Sequence, residues 1–149
     1  MDTYQFSFEK LEVWQLARFL TADIYKHTVK FPQEEKYLLT SQLRRAAVSI
    51  ASNLAEGSAR TSAKDKAHFT TIAFSSLMEV LNHLMIAVDL GYLKNDDLLN
   101  YRKQIQALSV KLSNLKASQL KQMNKLGFLF WLLFMPTWAN KLFHYLKPS

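Results

Sequence analysis

Apolar side chains recur along this chain at three- and four-residue intervals, the period of an amphipathic helix. From about Phe8 to Lys30, Leu11, Trp14, Ala17, Leu20, Ile24 and Thr28 fall on one helical face, and Phe31-Pro32 ends the run because proline disfavours helical geometry before it. A second segment is predicted from about Gln33 to Ala55. Pro32 suits its first turn, Glu34 and Glu35 suit its dipole, and Gly57 is its expected left-handed stop. Its core stripe is Leu39, Leu43, Ala46, Ala47, Ile50 and Leu54. A third helix is predicted from about Ala63 to Leu90, with Phe69, Ile72, Ala73, Leu77, Val80, Leu81, Leu84 and Val88 on one face. Ser62 with Asp65 resembles a capping box at its start, and Gly91 closes it. A fourth begins at Asn95, read as an N-cap. Leu98, Tyr101, Ile105, Leu108, Leu112 and Leu115 then form a heptad seam, and the helix is expected to end near Asn124.

Four amphipathic helices with short connections read as an all-α, up-down-up-down antiparallel four-helix bundle over residues 6–125. Residues 126–149 differ in composition. Phe128, Phe130, Trp131, Phe134, Trp138, Phe143 and Tyr145 make them an aromatic tail, not a separate domain. The ten apolar residues Leu126 to Met135 are too few for a transmembrane helix, which needs about 20. The first residues carry no basic stretch followed by an apolar run, so no secretory signal is expected and the cytoplasm is the expected location.

Composition sharpens this reading. The 149 residues include no cysteine, which excludes disulfides, thiol catalysis and Cys-ligated metals. Three glycines and three prolines, against about 10 and 7 at average usage, leave too few turn residues for a sandwich or a Gly-rich nucleotide loop. The net charge of +7 is concentrated in the last third. Residues 102–149 carry Arg102, Lys103, Lys111, Lys116, Lys121, Lys125, Lys141 and Lys147 and no acid. Such asymmetry suits a nucleic acid or an anionic surface, although a solvated lysine face has the same signature. Arg102, Lys103, Lys111, Lys116 and Lys121 are the nucleic-acid candidates, and no aromatic platform interleaves them for base stacking.

Other chemistry is thin. Glu79 and His83 lie one turn apart, but a di-iron bundle needs Glu-x-x-His pairs on two helices and a Glu from each of two more. His27, His68, His83 and His144 are scattered, and no serine or threonine sits in a nucleophile motif. Arg60, Lys64 and Lys66 have no Gly-rich cradle beside them. No catalytic residue, metal or cofactor is therefore expected. Arg45, Ser49, Ser52, Asn53 and Glu56 form a polar stripe beside the apolar one. An ion pair from Arg44 or Arg45 to Glu79 is the preferred reading, since a partly buried arginine needs a carboxylate. A subunit contact and direct nucleic-acid binding are the alternatives. The small residues Ala47, Ala51 and Ala55 would let another helix approach closely, and are assigned as an oligomer contact.

Several runs carry a family resemblance. Phe8-Glu9-Lys10-Leu11-Glu12-Val13-Trp14-Gln15 looks like an opening motif, and Leu39 through Gly57 (LTSQLRRAAVSIASNLAEG) like a central signature. Phe69, Ser75-Ser76-Leu77-Met78-Glu79 and Leu90-Gly91-Tyr92-Leu93 resemble the third-helix pattern and its exit. Over about Phe6 to Leu115 the chain resembles the bacterial four-helix bundle proteins first met as products of intervening sequences in 23S rRNA genes. Ala51 stands where that family usually has proline. The resemblance implies a left-handed bundle, commonly a ring-shaped homopentamer, and no activity. A relative, the accessory protein of diversity-generating retroelements, binds nucleic acid and a reverse transcriptase. The expected function is thus a non-enzymatic oligomeric scaffold whose partners are further copies of itself, RNA or DNA, and by resemblance a reverse transcriptase. The alternative is a peripheral membrane protein anchored by the aromatic tail.

Overall fold

The computed structural model describes residues 4–134, with side chains through Gln122. Four α-helices make up the described residues: α1 Glu12–Thr28, α2 Leu39–Ser58, α3 Ala63–Asp89 and α4 Asn95–Phe134. They form an all-α bundle, with short 3-10 turns at Ser7–Lys10 and Gln33–Tyr37 and no strand among the described residues. Consecutive helices are neighbours, and their paired positions run in opposite order. Thr28 meets Arg44, Thr21 meets Ala47 and Ser7 meets Ser58 between α1 and α2 and their flanks. Between α3 and α4, Thr70 meets Gln119 and Met85 meets Arg102.

The core is aliphatic. Leu20 and Ile24 of α1, Leu43 and Ile50 of α2, Leu77, Val80 and Leu84 of α3, and Leu108 and Leu112 of α4 are fully buried. The heptad seam of α4 lies as the spacing predicts, with Tyr101 and Ile105 also buried. On α3 the buried stripe is turned from the predicted one: Ala67, Thr70, Ser76 and Ala87 are inside, while Phe69, Ile72, Leu81 and Val88 are only half-buried. This helix packs on both α2 and α4, so small residues face the close contacts and larger ones lie along the edges.

Local chemistry sets the helix ends. At the start of α3 the Ser62 hydroxyl accepts the Asp65 N–H at 3.0 Å, and donates to the Asp65 carboxylate at 2.7 Å. The reciprocal bond thus reaches the Ser62 side chain, because aspartate is one methylene short of the backbone N–H that glutamate reaches. At the end of α3, Gly91 has φ +75°, the Gly91 N–H donates to Val88 and the Tyr92 N–H to Ala87. These are the two bonds of a Schellman motif, as the glycine implied. Gly57 is different. It sits inside α2 with no positive φ, and an added Cβ would lie 2.9 Å from Cβ of Phe69. It is a close-approach residue of the α2–α3 contact, not a left-handed stop.

The second helix starts later than predicted. Gln33–Tyr37 form a 3-10 turn, Leu38 leaves helical geometry at φ −107° and ψ −115°, and α2 begins at Leu39. The carboxylate of Glu35 then accepts the Leu39 N–H at 3.1 Å. Asn95 is the first residue of α4 rather than its cap, and the Lys94 carbonyl accepts the Leu98 N–H. That helix runs past Asn124 and through Gly127 to Phe134, 40 residues in all. A lone glycine in a helix costs only about 1 kcal/mol and does not end it. The aromatic side chains assigned to the tail lie outside the described ones.

Candidate nucleic-acid interface and polar seams

On α4 the five basic candidates do not share one face. At about 100° per residue, Lys103 and Lys121 project in one direction, away from the seam, about 27 Å apart along the axis. Arg102 and Lys116 lie on the flank toward α3, and Lys111 on the opposite flank toward α1. Contacts agree: a terminal nitrogen of Arg102 donates to the Met85 sulfur at 3.4 Å, and the Lys111 ammonium lies 2.8 Å from the Glu12 carboxylate. Glu12 therefore pairs with Lys111 at the surface, which corrects the expectation that no acid stands near these five charges. The absence of acids within the last third could not reveal a partner from α1. For Arg102, Lys103, Lys116 and Lys121, no carboxylate lies within ion-pair distance among the described residues.

The expected ion pair between helices two and three is absent. Arg45 and Glu79 are both exposed, and no carboxylate lies within ion-pair distance of Arg44 or Arg45 among the described residues. Glu79 instead faces His83 of its own helix at 3.4 Å. Arg44 turns toward α1, where Nε donates to the Thr28 hydroxyl at 2.8 Å and the guanidinium lies over the Tyr25 ring at 4.8 Å. Exposure removes the need for pairing at Arg45, and an aromatic face with a hydroxyl replaces the carboxylate at Arg44. The polar stripe bridges α2 and α3 at Ser49, which Asn53 of the same helix supports. The hydroxyls of Ser49 and Ser76 are 2.9 Å apart, and the Asn53 amide donates to Ser49 Oγ at 3.0 Å. Ser52 and Glu56 are exposed, and Glu56 pairs with Arg60 at 3.7 Å.

The alanine stripe is divided. Ala47 is fully buried against α1 within the chain, where the Thr21 hydroxyl donates to its carbonyl at 3.0 Å. Its assignment as an oligomer contact is therefore corrected, since α1 already covers it. Ala51 and Ala55 remain half-buried. Ala51 lines a shallow apolar groove with Arg18, Thr21, Ala22, Tyr25, Val48 and Ser52. Phe19, 57% exposed, lies on the same helix as Tyr25.

The α1–α4 seam is polar at the end where α4 begins. The Tyr101 hydroxyl donates to the Asp23 carbonyl at 3.2 Å, and His27 lies 3.6 Å from the Asp97 carboxylate. Burial, with smaller contributions from Asp23 and Asp97, pushes the Tyr101 hydroxyl up to about 12. None of these groups stood out in the sequence, since Tyr101 counted there only as a seam residue. Among the described residues no group of three His, Asp or Glu side chains could hold a metal ion.

No curated protein matches the sequence. The model of the 23S rRNA-intervening sequence protein family matches residues 9–114. That span takes in the opening motif from Glu9, the central signature on α2 and the α3 pattern with its exit. With most of the chain matched and the matched part folded as a helical bundle, this protein belongs to the 23S rRNA-intervening sequence protein family.

Proposed function

We propose that this chain is a non-enzymatic, oligomeric scaffold of the cytoplasm that holds RNA or DNA through phosphate contacts, without reading sequence. The observation that carries the proposal is the charge on α4. Arg102, Lys103, Lys116 and Lys121 are spread along the helix with no carboxylate in ion-pair distance among the described residues. Each is available to a phosphate, and each phosphate neutralised releases counterions. Four contacts give an expected slope of about −3.6 for log affinity against log salt on duplex DNA, at about 0.9 per phosphate. Binding that is unchanged between about 50 and 200 mM salt, or that survives neutralising all four side chains, would overturn the assignment.

Self-association is the second part of the proposal. The groove formed by Ala22, Tyr25, Val48 and Ala51, with exposed Phe19 on the same helix, supports it. A second copy covering this apolar surface would repeat the phosphate contacts around the assembly, in a ring of five if the chain follows the pentamer its resemblance implies. Placing a carboxylate there, by Val48→Glu, is expected to reduce the sedimentation coefficient to that of one chain. A parent protein that sediments as a monomer at micromolar concentration removes the oligomeric part while leaving the α4 part standing.

A further inference from the structure

The turn between α1 and α2 encloses a concavity of about 240 Å³, separate from α4. Its lining includes Thr28 at the end of α1, Gln33 and Lys36 of the 3-10 turn, and Thr40 and Arg44 of α2. Lys36 and Arg44 are its two cationic lining residues, the Lys36 ammonium lying 5.3 Å from the Tyr37 ring centre, and no acid lines it. Arg44 is half-buried, with Nε held by the Thr28 hydroxyl and the guanidinium carbon 4.8 Å from the centre of the Tyr25 ring. Its terminal nitrogens have no protein acceptor among the described residues, so the fork is oriented but unoccupied by any side chain. Thr40 is only 4% exposed and its hydroxyl has no hydrogen-bond partner. A buried hydroxyl left unpaired is costly, and this one lies behind the pocket wall rather than on its surface. The carboxylate of Glu35 caps the first turn of α2 outside the lining: one oxygen accepts the Leu39 N–H and the other the Tyr92 hydroxyl at 3.4 Å.

We propose that this pocket binds a phosphate group, held by the Arg44 fork and the Lys36 ammonium. An arginine anchored at Nε leaves two terminal nitrogens in a fork that matches phosphate oxygens, and an ammonium adds a point charge. The phosphate can be free or carried at the end of a nucleic acid. The site uses none of the α4 residues, so it stands or falls apart from the reading above.

The test is titration of the full chain followed by amide and Arg Nε–H shifts. The probes are inorganic phosphate, a 5′-phosphorylated trinucleotide, and the same trinucleotide with a 5′-hydroxyl, with sodium chloride at matched ionic strength as control. Saturable shifts at Thr40, Ser41 and Arg44 are expected with the phosphorylated probes and not with chloride. Lys36 is exposed, so Lys36→Ala is expected to fold normally and weaken binding at least several-fold, as is Arg44→Lys, which keeps the charge and removes the fork. Response to inorganic phosphate as well as the 5′-phosphorylated trinucleotide supports a site for free phosphate. Response to the 5′-phosphorylated trinucleotide alone supports a nucleic-acid terminus. Shifts no larger than those with chloride, equal shifts from the 5′-hydroxyl trinucleotide, or undiminished binding in both variants would overturn the site.

Discussion

At the scale of single residues, Gly57 and Gly91 look alike in the sequence and do opposite work. Gly91 needs its positive φ and meets nothing within 4 Å, so a side chain there costs conformational energy alone, about 1–2 kcal/mol for alanine. Asparagine visits that region more readily, and Gly91→Asn should recover part of the loss. Gly57 has helical geometry and a neighbour at 2.9 Å, so alanine gains about 1 kcal/mol of helix propensity but forces Phe69 aside. Overpacking of this kind costs about 1–3 kcal/mol and should win, because the opposing atom is a Cβ fixed to its backbone. Urea midpoints should therefore fall for both alanine variants, while asparagine helps only at position 91. Tyr101 offers a pH signature. Its hydroxyl titrates near 10 in the unfolded chain and at about 12 when folded. An acid whose folded value is raised contributes stability in full below pH 10, and loses it as pH climbs through 12. The difference in urea midpoint between the parent and Tyr101→Phe should be constant below pH 10 and shrink above it. A constant difference up to pH 12 would mean the hydroxyl is not held as described. Glu79, exposed and facing only His83, should lose no more than about 0.5 kcal/mol on replacement by alanine.

At the scale of elements, periodicity revealed much and missed specific things for identifiable reasons. The α4 seam was legible because Leu108 and Leu112 face a single direction, toward the core. The α3 stripe was not, because that helix is packed on two sides and buries Thr70 and Ser76 where hydrophobicity alone points elsewhere. Thr70 is satisfied by donating to Gln119 of α4 at 2.9 Å, and Ser76 by Ser49 of α2, partners separated by 49 and 27 positions. No local pattern encodes such pairs. The same limit hid Glu12 as the partner of Lys111 and Thr28 as the partner of Arg44. The break at Leu38 was invisible because one non-helical residue barely disturbs a hydrophobic stripe. For α2 and α3, the Ser49–Ser76–Asn53 hydrogen bonds imply coupling. Removing Ser76 alone leaves half-buried Ser49 with fewer partners, and Ser49→Ala with Ser76→Ala should cost less than the sum of the single changes. A double-mutant cycle summing within about 0.3 kcal/mol would mean the two hydroxyls act independently.

At the scale of the whole molecule, the basic last third is less uniform than its charge count. Arg102, Lys103, Lys116 and Lys121 project outward or toward α3, whereas Lys111 closes on Glu12 across the α1–α4 seam. A lysine already held by a carboxylate at 2.8 Å gains little by meeting a phosphate, because the glutamate would be left behind and would repel the same backbone. The five lysines and arginines should thus separate into two classes in one experiment. Neutralising Lys103 or Lys121 by glutamine is expected to lower the salt slope on duplex DNA by about 0.9, the value for one phosphate. Lys111→Gln should lower the slope by less than one phosphate's worth, since the exposed Glu12 carboxylate offsets only part of its charge. Glu12→Gln reverses the logic: it frees Lys111 and should raise the slope by up to about one unit while strengthening binding at low salt. Measuring log affinity against log salt for the parent and these four variants distinguishes a pattern set by structure from one set by net charge. If all lysines contribute alike and Glu12→Gln changes nothing beyond its effect on net charge, then the nucleic acid senses only the overall field, and the arrangement on α4 has no part in binding.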